Sequence, residues 1–296
     1  MGRTVERRGA LERRASPRGR WPAGFMTASA AILGLMLAGL TVWFAWDAIA
    51  LLGRYGVEPV LLGRVFDPAH GRFGLIPFIW GSVVVGLTAL VVAVLLGVSL
   101  ALAIGRRVPE QIRGTLGRGL SLFVALPSVI LGWWGLETVV PLVRRLLGGP
   151  GFSLLAAGIT LGVMITPTLA ALALAAVQGV PRPLEEASDA LGAHPDQTLL
   201  GLTLPAAMPG IARALVLAAS RALAETMAVQ MVIGGEPVAR LALNLPGSTL
   251  TTGILSNMAV SPPGSPAGQS LTVMAAILLA GAWWLSRQLM GRGAPA

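Results

Sequence analysis

The chain contains no cysteine and no lysine, and its two histidines, His70 and His194, stand far apart. Without cysteine there is no disulfide framework, thiolate metal site or sulfur nucleophile. Two distant histidines do not assemble a metal site, and no Ser/His/Asp arrangement is evident, so nothing here reads as catalytic. Without lysine no G-x-x-x-x-G-K-[ST] phosphate loop can be written. If ATP drives this protein, another subunit must bind and hydrolyse it. Charge is scarce too: 12% of the 296 residues are charged, against about 25% in soluble domains.

What is present is apolar. Hydrophobic residues make up 54% of the chain, and the mean hydropathy is +0.75. That much apolar surface must face something other than water, and the lipid bilayer is the obvious solvent. All 22 basic residues are arginine, and the formal net charge is +9. A basic chain raises the question of nucleic acid. The arginines, however, flank apolar segments instead of forming a face interleaved with aromatics, which argues against it.

Residues 1–24 are polar and arginine-rich and read as a disordered cytoplasmic tail. The apolar run behind them, Phe25–Leu52, is longer than the roughly 7–15 residues of a secretory h-region and reads as an uncleaved first membrane helix. Five further spans follow, at Pro77–Ile104, Leu116–Val140, Leu154–Val177, Ile211–Ile233 and Ser270–Leu289. Each is near or above the ~20 residues that cross ~30 Å of hydrocarbon. The fold class is therefore an all-α membrane protein of six spans over residues 25–296. Gly97, Gly158 and Gly162 would let these helices approach closely. With the N-terminus inside, the inner segments hold 15 arginines and the outer ones six: Arg54, Arg64, Arg72, Arg144, Arg145 and Arg240. The positive-inside rule then places both termini in the cytoplasm. A long outer loop, 234–269, is rich in Pro and Gly, and Thr249–Ala259 within it could form a short helix.

Two constellations stand out. The first is Glu186–Pro205, EASDALGAHPDQTLLGLTLP, in a cytoplasmic loop at 181–210. Leu184–Leu191 is a short helix behind Pro183, and Gly192 suits its C-terminal cap. Glu185, Glu186 and Asp189 offer carboxylates to a basic surface or to the helix's own N-terminus. Pro195 and Asp196 start a second helix, and the stretch closes on Leu204–Pro205. Two short helices joined at a glycine make a knob for a partner's groove, or an amphipathic loop lying on the membrane.

The second is Arg221–Glu225. Counted from Ile211 at 1.5 Å per residue, Arg221 lies about 15 Å deep and Glu225 about 21 Å. Their i, i+4 spacing puts both on one helix face, where they can pair. Charges at that depth are costly unless paired or facing a wet cavity. The pair either fixes packing or lines an anion path, where a guanidinium fork matches an oxyanion. A carboxylate beside it could accept a hydrogen bond from a protonated oxyanion such as phosphate. Asp47 and Glu137 fall near the outer ends of their spans. Thr166-Pro167-Thr168 and Pro127-Ser128 break two helices near mid-membrane, and the freed carbonyls and hydroxyls could line a cavity or mark a packing kink.

These residues resemble a known family. The spacing of Glu186, Ala187, Gly192, Leu204 and Pro205 is similar to the cytoplasmic E-A-A motif of ABC-importer membrane subunits. FGLIPFIWGS (Phe73–Ser82), LPSVILGWWGL (Leu126–Leu136), EEASDALGAHPDQTLLGLTLPAAMPGI (Glu185–Ile211) and RALAETMAVQMVIGG (Arg221–Gly235) resemble the phosphate-import permeases PstC and PstA, and the E-T-M-A-V form is similar to the PstC member. Ala224 stands in place of a glycine, Gly235 in place of an asparagine, and IGRRVP (Ile104–Pro109) in place of an acidic L-S-E-Y-A-P. The resemblance implies the ABC type I importer permease fold in the inner membrane. It also implies a heterodimer with a PstA-like permease, two cytoplasmic ATPase subunits that hold ATP and magnesium, and an external phosphate-binding protein. By motif match it puts Arg221 and Glu225, with Thr226 beside them, on the substrate path. Sulfate, molybdate or phosphonate is the neighbouring alternative, and a proton-coupled transporter without an ATPase is the alternative of another class.

Overall fold

The computed structural model describes residues 20–291. The tail expected at 1–24 lies outside the described residues as far as residue 19. The chain divides into two compact units after Trp46. The first, among the described residues, is the leading part of helix α1 (Arg20–Tyr55), whose side chains from Phe25 to Trp46 are almost all exposed. A helix with so much exposed apolar surface suits lipid or another chain as its surroundings.

The second unit carries everything else. A short helix α2 (Val57–Leu61) and a hairpin of β1 (Phe66–Asp67) and β2 (Arg72–Phe73) lead into α3 (Ile76–Leu102), which winds on as a π turn over Ala103–Arg107. Helix α4 (Glu110–Val124) is followed by α5 (Ser128–Trp134), a π turn at Gly135–Val139, and α6 (Val140–Leu147). Next come α7 (Leu154–Gln178), the short α8 (Arg182–Ala190) and α9 (Pro195–Thr198), and a π turn at Leu199–Thr203 that feeds α10 (Leu204–Ala224). Helices α11 (Met227–Ile233), α12 (Leu250–Asn257) and α13 (Pro266–Gly291) complete the described chain.

Among the described residues, five helices are long and apolar enough to cross a bilayer, and a sixth crossing is available where the chain from Glu110 to Leu147 bends by 90°. The span expected at Leu116–Val140 is thus a broken one, with its break at Pro127-Ser128 as expected. Pro127, at φ −58° and ψ 133°, cannot continue a helix, and α4 stops before it. The span expected at Ile211–Ile233 is also divided, between α10 and α11, with Glu225 extended at φ −74° and ψ 131°. The break expected at Pro167 does not occur, because α7 runs through it. The Thr166 hydroxyl donates to the Gly162 carbonyl at 2.7 Å, one residue before the Val163 carbonyl that Pro167 leaves without its helical N–H.

Helix α3 packs along α7, and α10 lies against α7, α3 and α13. The α3–α7 seam is made by small residues, as expected: a Cβ on Gly158 would meet Thr88 at 2.5 Å, and one on Gly162 would meet Val92 at 2.6 Å. The core of this unit lies in three clusters: one on Val85, Ala89, Leu161, Ile165 and Val229, one on Ile104, Leu174 and Val177, and one on Leu51, Phe78, Leu250 and Met274. The outer segment is woven in rather than loose. Leu154 N–H donates to Leu245 O at 3.2 Å, Gly247 N–H to Ile233 O at 3.1 Å, and Leu250 N–H to Ser82 Oγ at 2.8 Å. The short helix expected within Thr249–Ala259 is α12, started by Thr249, whose hydroxyl accepts from Thr252 N–H.

Candidate functional site

Helix α8 starts at Pro181–Pro183, where prolines preset the first turn and no intrahelical N–H is lost. It ends on Gly192, at φ +84°, whose N–H donates to Asp189 O at 2.9 Å. Only glycine takes that conformation without strain. His194 then caps α9. Its Nδ1 accepts from Asp196 N–H, and Gln197 Oε1 accepts from His194 N–H at 2.9 Å. Sequence reading missed this role, since histidine is an uncommon cap; the following P-D-Q was the available signal. The two short helices are tied by Thr198, buried between them. Its hydroxyl stands 2.9 Å from that of Ser188 and donates to Asp189 Oδ1 at 3.3 Å.

Of the three carboxylates expected to face a basic surface or the helix's own N-terminus, two are engaged by other side chains of this chain. Asp189 takes the Thr198 hydroxyl. Glu185 Oε1 lies 2.7 Å from Arg106 Nε and accepts from Thr203 Oγ1 at 2.7 Å. Arg106 also donates from Nη2 to Val177 O at 2.8 Å and to Val180 O at 3.3 Å, at the C-terminal end of α7. Arg107 pairs with Asp196 and Arg182 with Glu110. Glu186, Ala187 and Pro205 are exposed, with Leu184 and Leu191 exposed beside them, Leu191 at 90%. Leu204 is half-buried against the core. The knob therefore presents the apolar side chains of Leu184 and Leu191 with the exposed Glu186 carboxylate beside them.

Inside the membrane unit, Arg221 and Glu225 do not pair. The helix ends between them, and the two side chains find different partners. Arg221 Nη2 donates to Val124 O at 3.2 Å, and Nη1 to Thr168 Oγ1 at 3.4 Å. Val124 is the last residue of α4, so the guanidinium sits on a helix C-terminus, where the unpaired carbonyls carry partial negative charge. Glu225 Oε1 accepts from Ala228 N–H at 3.1 Å at the start of α11, and Thr251 Oγ1 donates to Glu225 O at 3.0 Å. Thr226 is the N-cap residue of α11. Glu225 lines a cavity of about 390 Å³ between α3, α10 and α13, together with Ser82, Thr249 and Thr251.

The structure thus brings Arg221 and Thr168 together at the break marked by Pro127 and Ser128, and puts Glu225 and Thr226 at a second break. Thr166 is satisfied within its own helix, and Asp47 accepts from Thr272 Oγ1 at 3.2 Å. Sequence reading missed Gly81. A Cβ there would lie 2.0 Å from Ser248 O, so the outer segment presses on α3 only because residue 81 has no side chain.

Residues 93–286 match the family described as the binding-protein-dependent transport system inner membrane component. The probable ABC transporter permease protein YqgH of Bacillus subtilis is 34% identical over 259 residues, covering 86% of this chain and 84% of that protein. The phosphate transport system permease protein PstC of Mesorhizobium japonicum is 30% identical, covering 77% of this chain and 76% of its own length. The probable PstC of Methanocaldococcus jannaschii is 31% identical, covering 75% of each. Among solved structures, an inward-facing MetNI methionine ABC transporter chain aligns with TM-score 0.54 and 19% identity, covering 74% of this chain and 96% of that one. That likeness concerns the fold, which is the ABC type I importer permease fold expected from the motifs. The chain belongs to the family of inner-membrane components of binding-protein-dependent transport systems, as a multi-pass membrane permease subunit.

Proposed function

We propose that this chain is the PstC-like half of an ATP-driven phosphate importer. It forms the path with a PstA-like permease, receives phosphate from an external binding protein, and is driven by two cytoplasmic ATPase subunits. The observation that carries this reading is the Arg221 guanidinium, half-buried inside the membrane domain at a broken span, in a chain whose relatives include proteins named as phosphate permeases. A planar fork of donors suits a tetrahedral oxyanion better than a point charge does. Glu225 favours an oxyanion that keeps a proton, because its carboxylate accepts a hydrogen bond and repels a fully ionised group. The exposed face of α8 is the dock for the ATPase, with both termini on the same, cytoplasmic side.

The test is competition in cells or vesicles. Labelled phosphate uptake should be displaced by unlabelled phosphate and arsenate and not by sulfate or molybdate. Equal displacement by sulfate would move the reading to a general oxyanion permease.

A further inference from the structure

Arg106 belongs neither to the exposed face of the knob nor to the residues around Arg221, yet it touches both helical systems. Its Nε lies 2.7 Å from Glu185 Oε1 on α8, and its Nη2 donates to Val177 O at 2.8 Å, at the end of α7. Glu185 in turn accepts from Thr203, the residue that opens α10. The side chains of Arg106 and Glu185 are only 14% and 19% exposed, so water competes weakly for the pair. At 1.5 Å per residue, Thr168 lies about 15 Å along α7 from its end and Arg221 about 27 Å along α10 from Thr203. The two helices that Arg106 and Glu185 fasten are those whose side chains meet at the Arg221–Thr168 contact.

We propose that Arg106 is a positioning residue that makes α8 and the loop ends of α3, α7 and α10 one rigid body, so that a displacement imposed on α8 reaches the membrane breaks. This rests on the reading of α8 as the ATPase dock. A helix held only by its flanking loops could be pushed without moving its neighbours. A charge pair with carbonyl and hydroxyl partners on α7 and α10 turns the same push into a movement of both. The substrate-facing residues need no contact with the ATPase for this to work.

The test uses the absence of cysteine from the chain. The variant Arg106→Cys with Glu185→Cys is made in the complete complex, with cysteine-free partner subunits, and read with and without a short thiol cross-linker. The ATPase should co-purify as with the native chain, because the exposed face is untouched. ATP hydrolysis should continue, while phosphate transported per ATP falls at least about fivefold, the low end of ordinary coupling energies. Cross-linking should restore most of that ratio. A purely structural pair would lower assembly, hydrolysis and uptake together and leave the ratio unchanged, which would overturn the proposal. Loss of ATPase co-purification, or a native ratio before cross-linking, would overturn it as well. Failure of the docking reading is seen separately: Leu191→Ser with Glu186→Arg, on the exposed face, would leave ATPase binding intact.

Discussion

Arg221 holds the carbonyl of Val124 at 3.2 Å, so that one guanidinium both spans from α10 to α4 and caps a helix that ends inside the membrane unit. The same group reaches Thr168 on α7. Arg221→Lys keeps the charge and loses the fork, so an ammonium cannot serve both partners and an anion at once. Phosphate uptake is expected to fall about tenfold or more, since a hydrogen bond to a charged group is worth ~1.5–3 kcal/mol. Near-native uptake with native assembly would return Arg221 to a capping role alone.

Because Arg221 and Glu225 share no partner, their substitutions should combine without coupling. In the series Arg221→Met, Glu225→Leu and both, the interaction energy should stay below ~1 kcal/mol, short of what a directly contacting pair can show. Denaturant melts in detergent supply the measurement. An interaction energy above ~1 kcal/mol would mean that the two groups do pair, against the separation seen here.

Gly192→Val should strain the turn between α8 and α9. The site has open space for a Cβ but a φ of +84°, so backbone conformation and not crowding sets the cost. About 1–2 kcal/mol is expected for a branched residue, and much less for Gly192→Asn, which visits that region readily. ATPase co-purification should fall with valine and persist with asparagine. Equal loss with both would mean that the surface, not the turn, is what the partner reads.

Gly81→Ala adds a methyl 2.0 Å from Ser248 O, where the outer segment crosses α3. Backbone must move to accept it, and overpacking of this kind costs ~1–3 kcal/mol. A lower melting temperature of the purified subunit is expected, with limited proteolysis of the 234–269 loop accelerated. Unchanged values would mean that the segment is held less tightly than its hydrogen bonds to Ser82 and Ile233 imply.

The proposed orientation rests on the arginine distribution. Reporter fusions at Arg64 and Ser248 should read external and one at Asp189 internal. An external signal at Asp189 would remove α8 from the side where an ATPase works.

The membrane helices were legible because long apolar runs have few other solutions, and α8 because Pro181–Pro183 and Gly192 punctuate it. The break at Pro127 was legible for the same reason. The break at Glu225 was not. Ala222-Leu223-Ala224-Glu225-Thr226-Met227 contains no residue that stops a helix, and the chain turns there in company with distant groups: Thr251 takes the Glu225 carbonyl, and the Glu225 carboxylate takes Ala228 N–H. Local spacing alone therefore placed Arg221 and Glu225 on one face. Pro167 misled in the opposite direction: membrane helices tolerate an internal proline, and α7 runs through it unbroken while packed closely against α3. The charges of the 181–210 loop were legible as charges, but the pairing of Glu185 with Arg106 joins residues 79 positions apart, and no single-sequence pattern contains it.

Transport of phosphate is read directly as labelled phosphate uptake into proteoliposomes holding this chain, its partner permease and the ATPase, with the binding protein supplied on the outer face of the complex. Uptake should require both ATP hydrolysis and the binding protein, and should be lost when Arg221 is replaced by methionine. Uptake driven by a proton gradient without the ATPase would contradict ATP-driven import.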